Sequence, residues 1–460
     1  MRIFKIALKA LLVVAFLAAC NVALTLVLEP YGSRSQLAWS DYERQDELDT
    51  IVVGTSHMEY GVDPAVLNKK CGCKAYNLGT PNQSVEESFL AIRTAWEDHQ
   101  IKRVVFGLSP SALTSSTPPN PGSAFMRNRN LYVTPFEAAA SIHEFMWKYG
   151  AATTAYSLDF VFPWASNPIR SLNPKALVAN VKARIEGADV AEMAQKLEHG
   201  WRYVGLGHGS RGKVMNLDGS GVRSITEGVD EEAEVDAADA GDSATLNPDR
   251  AAVLREIASY CAERGIELVV VAPPLPVYDV FDEKSTYFET MDEARALFGE
   301  LGLEVYDFNL ASSDLFDSEP ELFADNYHLN LQGAQVFSRS LARFLNALDD
   351  GDDVSGMFVT PEERLYSIDY LSALFAETRT DAEGVHLDWR LVTSPTEDVE
   401  YRVMMRHGED EEFQPVSEWS RETSFTYLPE ERGALSLRIC ARHVGSDEEY
   451  ERFRTERVLW

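Results

Sequence analysis

The sequence predicts an α/β domain on a parallel sheet, split by a long insertion and followed by a β-sandwich. Three observations predict it. Short β-branched runs alternate with amphipathic helical stretches through residues 49–110 and 250–348. From about residue 358, apolar and polar residues alternate with a period of two. The acidic run Asp349-Asp350-Gly351-Asp352-Asp353 separates the two patterns. A chain of 460 residues with 45% hydrophobic content has the material for roughly three units.

In chain order, Arg2, Lys5 and Lys9 precede an apolar run from Ala10 to Leu28, broken only by Asn21 and Thr25. As a helix that run spans roughly 28 Å, the thickness of a bilayer's hydrocarbon core. Basic residues before it place the short N-terminus in the cytoplasm and the rest of the chain outside. Leu17-Ala18-Ala19-Cys20 supports a second reading, a lipoprotein acylated at Cys20, although Val22–Leu28 stays largely apolar past the cysteine. Under either reading residues 1–31 form an anchor or signal and the bulk of the chain is tethered outside the membrane.

The α/β domain is expected over residues 45–348. Asp49–Gly54 reads as a buried strand, with a short strand near Ala75–Leu78, a helix over Val85–Asp98 and a strand over Val104–Leu108. An insertion follows from about Ser111 to Asn247. It carries helical patterns near Pro135–Tyr149 and Pro174–Glu198, the aromatic patch Phe160–Trp164, read as insertion core in preference to a lid or membrane-facing lip, and an acidic loop over 227–249 read as solvated. The domain resumes with a helix over Arg250–Arg264, a strand over Leu268–Val271, a helix over Met291–Gly302, a strand over Leu303–Phe308 and a last helix over Gln332–Leu348. Residues 349–357 read as a linker and 358–460 as the sandwich. Its strands are expected at Val385–Leu391, Val399–Met405, Ser424–Leu428, Leu435–Arg442 and Tyr450–Leu459. Trp389 in an early strand, expected to be buried, gives this part a resemblance to fibronectin type III modules.

Composition narrows the function. Forty-two basic against 73 acidic residues give a net charge of −31, which repels phosphate and argues against nucleic-acid binding. Five cysteines are too few for a disulfide scaffold; Cys71-Gly72-Cys73 lacks the further ligands of a zinc site, while a bridge from Cys71 or Cys73 to Cys261 stays open. His199 and His208, beside and within the Gly-rich stretch 200–212, read as surface loop rather than metal ligands. No P-loop, dinucleotide fingerprint or HExxH segment is present, and no cofactor is expected.

Two segments carry the chemistry. Gly54-Thr55-Ser56-His57-Met58-Glu59-Tyr60-Gly61-Val62-Asp63-Pro64 places Ser56 just past the first strand, at the edge where open α/β sheets hold their sites. A serine hydroxyl needs a base and a group to orient that base. Asp325-Asn326-Tyr327-His328-Leu329-Asn330 supplies both, since a three-residue spacing lets Asp325 accept from His328 Nδ1 and leaves Nε2 for the serine proton. His57 reads as structural or substrate-positioning, and Glu59 as a rim or solvated carboxylate.

In these motifs the chain resembles the SGNH/GDSL hydrolase superfamily, over residues 49–110 and 250–348. The serine after the first strand, the DxxH near the domain's end and the order Ser, Asp, His are the family's. The G-x-S-x-x-x-x-G-x-x-P pattern (Gly54, Ser56, Gly61, Pro64) followed by Asn77 and Gly79 looks most like its membrane-anchored branch. That branch includes the D-alanyl transfer protein of teichoic acid synthesis and alginate O-acetylation proteins. The resemblance implies a three-layer α/β/α fold and a Ser56–His328–Asp325 triad. It also implies an oxyanion hole served by the Gly79 amide. Gly107-Leu108-Ser109-Pro110 stands where the family's GxND block would be, and Asn82 is an alternative side-chain donor. The expected activity is that of an extracytoplasmic serine esterase or O-acyltransferase on acyl groups of an envelope polysaccharide, with that polymer or an acyl donor as partner. The alternative is a non-catalytic glycan-binding or scaffold protein on a degenerate SGNH fold.

Overall fold

The structure, a computed structural model, describes residues 2–28, 31–32, 34–115, 173–190, 192–193, 200–212, 245–408, 411–430 and 432–460. The chain divides into two compact units, Met1–Arg211 with Asn247–Val269, and Gly212–Leu246 with Val270–Trp460.

The first unit opens with α1 (Arg2–Leu28) and α2 (Arg34–Tyr42). Within α1, Ile3–Leu24 is the one stretch among the described residues long and apolar enough to cross a membrane. Then come β1 (Thr50–Val53), α3 (Ser56–Gly61), α4 (Pro64–Cys71), β2 (Ala75–Asn77), α5 (Val85–His99), β3 (Arg103–Gly107) and α6 (Pro110–Thr114). β1 is a four-residue β-branched run buried at every position, as a central strand covered on both faces must be. It pairs in parallel with β2 and with β3. A full capping box, Ser84 Oγ to the Glu87 N–H and Glu87 Oε2 to the Ser84 N–H, starts α5. The insertion contributes α7 (Pro174–Glu186) and a hairpin, β4 (Trp201–Gly205) with β5 (His208–Arg211). α7 ends earlier than expected because Gly187 takes a left-handed cap at φ +63°. The patterns at Pro135–Tyr149 and Phe160–Trp164, His199 and most of the acidic loop lie outside the described residues. α8 (Pro248–Arg264) packs on α5 through a buried Arg250–Glu86 ion pair, and Phe89 meets Tyr260 edge-on at 5.4 Å.

β6 (Glu267–Ala272) passes from the first unit into the second. The second continues with α9 (Val277–Phe281), α10 (Tyr287–Glu300), β7 (Val305–Asp307), α11 (Leu331–Asp350) and α12 (Pro361–Tyr366). The parallel strands form one five-stranded sheet ordered β2-β1-β3-β6-β7, so the α/β class read from the sequence holds. α11 is amphipathic, and Phe337, Leu341, Phe344 and Leu345 on its inner face are each at most 1% exposed. Each such side chain contributes roughly 1.5–3 kcal/mol of transfer free energy.

The expected linker is partly structural. Asp349 and Asp350 finish α11, and Gly351 caps it at φ +72°. Residues beyond fold back onto the α/β core: Ser312 N–H donates to Met357 C=O (2.9 Å), and Val359 N–H to Leu310 C=O (2.8 Å). The Phe358 ring lies 5.5 Å from that of Phe308. Arg364, 1% exposed, donates to Asp317 Oδ1 at 2.7 Å. The β-rich part therefore begins at Leu374, later than residue 358.

Among the described residues it has seven strands: β8 (Leu374–Asp381), β9 (Gly384–Leu391), β10 (Val399–Arg406), β11 (Gln414–Pro415), β12 (Ser424–Tyr427), β13 (Ala434–His443) and β14 (Arg452–Leu459). They form antiparallel sheets ordered β11-β10-β13-β14 and β12-β9-β8, which share one core. Trp389 is buried there against Tyr401, with ring centroids 5.7 Å apart. Arg390 of β9 donates to the fully enclosed Asp282 carboxylate at 2.8 Å, and Phe375 of β8 meets Tyr278 of α9 at 5.9 Å. These contacts fix the sheets to the segment that follows β6.

Candidate active site

Ser56 belongs to the first unit. After Val53 the chain must turn sharply out of the sheet, and Gly54 does so at φ +142°, a conformation open to glycine. A Cβ there would come within 2.8 Å of Met58 Cγ, and one on Gly107 within 2.2 Å. The two glycines thus open a slot that Met58, fully buried, fills. With Met58 anchored, α3 begins at Ser56, and Thr55 C=O accepts from the Met58 and Glu59 N–H groups at 3.0 and 3.2 Å. Ser56 is 7% exposed at the first helical position.

Asn77 holds the other end of this helix. It is 1% exposed, and its Nδ2 donates to Met58 C=O (2.7 Å) and Val62 C=O (2.9 Å), carbonyls at and beyond the helix's open end. Its Oδ1 accepts from the Gly79 N–H at 2.9 Å. The Gly79 amide, expected to serve an oxyanion, is therefore committed inward to Asn77. Gly79 itself sits tightly over the turn, since a Cβ would lie 3.0 Å from Glu59 N and 3.3 Å from Gly54 O. Asn82 is exposed at φ +52°, a left-handed position that asparagine tolerates, and is a turn residue rather than a buried donor.

His57 Nδ1 lies 3.0 Å from Thr55 Oγ1, which ties it to the turn beside the serine. Glu59 is neither rim nor solvated: it is 5% exposed, with Arg34 of α2 at 3.9 Å. His208 is not in a surface loop. It is fully buried on β5, its Nδ1 2.8 Å from Glu59 C=O, and its Nε2 has no hydrogen-bond partner among the described residues. Burial depresses this imidazole below its ordinary value, with the Glu59 carbonyl opposing the shift. The hairpin that carries it docks on β2, where Asn77 N–H donates to Leu206 C=O at 2.9 Å.

Asp325 and His328 belong to the second unit. Residues 324–330 form a tight loop closed by an antiparallel bridge between Phe323 and Leu329 and by Ala324 N–H to His328 C=O at 2.8 Å. Asn330 caps α11 by accepting from the Gly333 N–H (2.9 Å), while its Nδ2 donates to the carbonyls of Glu321 (2.6 Å) and Phe323 (3.1 Å). Inside the loop Asp325 Oδ1 accepts from the backbone of Tyr327 (3.0 Å) and His328 (2.9 Å). His328 Nδ1 then lies 2.9 Å from Oδ1 and 3.1 Å from Oδ2 of the same carboxylate. The expected Asp–His pair is formed. His328 is 7% exposed, so its ring is enclosed with its tautomer set by a carboxylate that the backbone itself orients.

Two neighbours were not anticipated. Tyr278 Oη donates to Asn326 Oδ1 at 3.1 Å, bracing the loop. Asp279 encloses its Oδ2, which has no hydrogen-bond partner among the described residues. Burial first, then the charges of Asp282 and Asp325, raises its carboxyl well above the ordinary carboxylate range.

Among the described residues no cluster of His, Cys, Asp and Glu suits a metal ion. The five cysteines are free thiols, and burial pushes those of Cys261 and Cys440 up to about 12, away from thiolate chemistry.

No family model matches the chain, and no curated protein does. Among solved structures, an engineered protein aligns over 94% of this chain and 98% of its own at 10% identity, with a TM-score of 0.14. A likeness at that level carries no argument about fold or function.

Proposed function

We propose that this protein is a membrane-tethered, extracytoplasmic serine esterase or O-acyltransferase of SGNH type that acts on acyl groups of an envelope polysaccharide. The observation that carries this reading is the Asp325–His328 pair, a carboxylate held by two backbone amides and bonded to the Nδ1 of an enclosed imidazole. Such a pair leaves Nε2 as a base for a hydroxyl. Ser56, on the first residue of a helix fixed at both ends, is the hydroxyl assigned to it.

In this mechanism Ser56 Oγ attacks the ester carbonyl while His328 takes its proton, and Asp325 stabilises the imidazolium that forms. Collapse of the tetrahedral intermediate expels the alcohol, to which His328 returns the proton. Water or a sugar hydroxyl then attacks the acyl-serine, giving hydrolysis or transfer. The Ser56 amide at the start of α3 is the oxyanion donor assigned in this reading, because the Gly79 amide is already bonded to Asn77. The C-terminal sandwich is read as fibronectin III-like and as a rigid support for the α9 segment.

Turnover of an aryl acetate by the full chain in detergent tests the proposal. The expected result is an acyl-enzyme burst that Ser56→Ala and His328→Ala both abolish, with an added glycan acceptor diverting the acyl group if transfer is the native step. Turnover unchanged in both variants would overturn it. The committed Gly79 amide favours the second reading, a non-catalytic glycan-binding protein, for which no burst and Ser56-independent glycan binding are expected.

A further inference from the structure

α7 and the end of α1 form a local assembly that the acyl-transfer reading does not use. α7 is a complete helix of 13 residues: Asn173 Oδ1 accepts from the Lys175 N–H at 2.9 Å, Pro174 occupies the first position, and Gly187 closes the end. Its inner edge is locked to the point where α1 ends. Asn180 Nδ2 donates to Val27 C=O (3.1 Å), one of the carbonyls a helix end leaves without an internal partner. Asn180 Oδ1 accepts from the Tyr31 N–H (2.7 Å), Tyr31 Oη donates to Ala188 C=O (3.1 Å), and the Arg184 guanidinium stacks 5.3 Å from the Tyr31 ring centre.

The outer edge of α7 is apolar and, among the described residues, uncovered. Val178 is 68% exposed and Ile185 79% exposed, and with Leu177 and Val181 they make one stripe at helical spacing. Val27 of α1 lines the same groove, so the stripe continues the apolar surface of the anchor helix. Lys175 and Lys182 stand exposed on this helix, in a chain whose net charge is −31.

We propose that α7 is an interfacial membrane helix that lies along the bilayer surface where α1 emerges, with Val178 and Ile185 buried at the boundary of headgroups and acyl chains. The proposal rests on reading α1 as a membrane-spanning anchor. A helix tied to the last turn of such an anchor is held at the height of that boundary. There an apolar stripe leaves water, lysines reach the headgroups, and a tyrosine suits the interfacial belt. The occupant of the groove is thus lipid, because the groove opens from the surface that lipid already covers. Its consequence is a second attachment: the body of the protein is oriented against the membrane instead of swinging on a single stalk.

The test uses the full chain in nanodiscs containing a phosphatidylcholine with a diazirine near the start of one acyl chain. After irradiation, adducts are located by mass spectrometry. Adducts are expected in α1 and in residues 174–186, and Val178→Asp with Ile185→Asp should lower the second set about tenfold while leaving the first. Both positions are mostly exposed, so the double variant keeps the fold, which circular dichroism verifies. Labelled α1 with a clear 174–186 segment in the unaltered protein would overturn the proposal and assign the stripe to another part of the chain or a second copy. An unlabelled α1 would remove the anchor reading, and the proposal with it.

Discussion

His328 and His208 are both almost fully buried, and each brings Nδ1 within hydrogen-bond distance of an oxygen, yet the oxygens differ in charge. His328 faces the Asp325 carboxylate at 2.9 Å, whereas His208 faces the Glu59 main-chain carbonyl at 2.8 Å. A carboxylate stabilises an imidazolium that forms during a reaction, and a carbonyl in an enclosed site does so far less. The first arrangement suits a base that gains and returns a proton. The second suits a neutral strut that holds the serine-bearing helix from behind. Burial and an Nδ1 bond are therefore common to both roles, and the charge of the partner separates them.

This contrast can be broken by substitution. His328→Ala should lower turnover by roughly 10⁴-fold or more and cost comparatively little stability, because the base is lost while Asp325 keeps its backbone bonds from residues 327 and 328. Asp325→Asn should cost roughly 10³–10⁴-fold by favouring the wrong tautomer, and kcat rather than KM should carry the loss. His208→Ala should behave oppositely. It removes the Nδ1 bond to the Glu59 carbonyl and opens a cavity in a fully buried site, so about 2–4 kcal/mol of stability is lost in denaturant unfolding. His208→Gln, which keeps a donor, should recover part of that. A large turnover loss in His208→Gln with unaltered stability would erase the distinction.

The smallest effect is in pH dependence. Because the folded state depresses the His208 imidazole below its usual 6.5, the unfolded chain takes up a proton that the folded chain resists. The stability tied to this residue is intact above about pH 6.5 and falls as pH drops toward the lower folded value. Unfolding curves of wild type and His208→Gln between pH 7.5 and about 5 should therefore converge as pH falls.

Much of the α/β framework was legible because its strands are continuous β-branched runs and its helices carry caps. The elements at Thr50–Val53, Val85–His99, Arg103–Gly107 and Pro248–Arg264 lie within about two residues of the expectation. The Asp325–His328 bond was legible too, since a three-residue spacing within one loop constrains it locally. What escaped the sequence depends on contacts between distant segments. Asn77 was a marker in a pattern, and its role as the clamp on α3 appears only when Met58 and Val62 arrive beside it. His208 read as loop because glycines obscure the alternation of β4 and β5; the Leu206-Gly207 turn, with both φ values positive, was the hairpin signal available. The helix over Ser56–Gly61 was missed because six residues are too short to show a period. Asn330 could have been found as a helix N-cap, standing directly before the apolar pattern of α11.

The most direct test is fluorophosphonate labelling of the full chain, with the adduct located by mass spectrometry in wild type, His328→Ala and His208→Gln. An adduct on Ser56 that persists in His208→Gln and vanishes in folded His328→Ala is the result expected of one base and one strut. A folded wild-type protein without an adduct on Ser56, or an adduct indifferent to His328, would contradict the account.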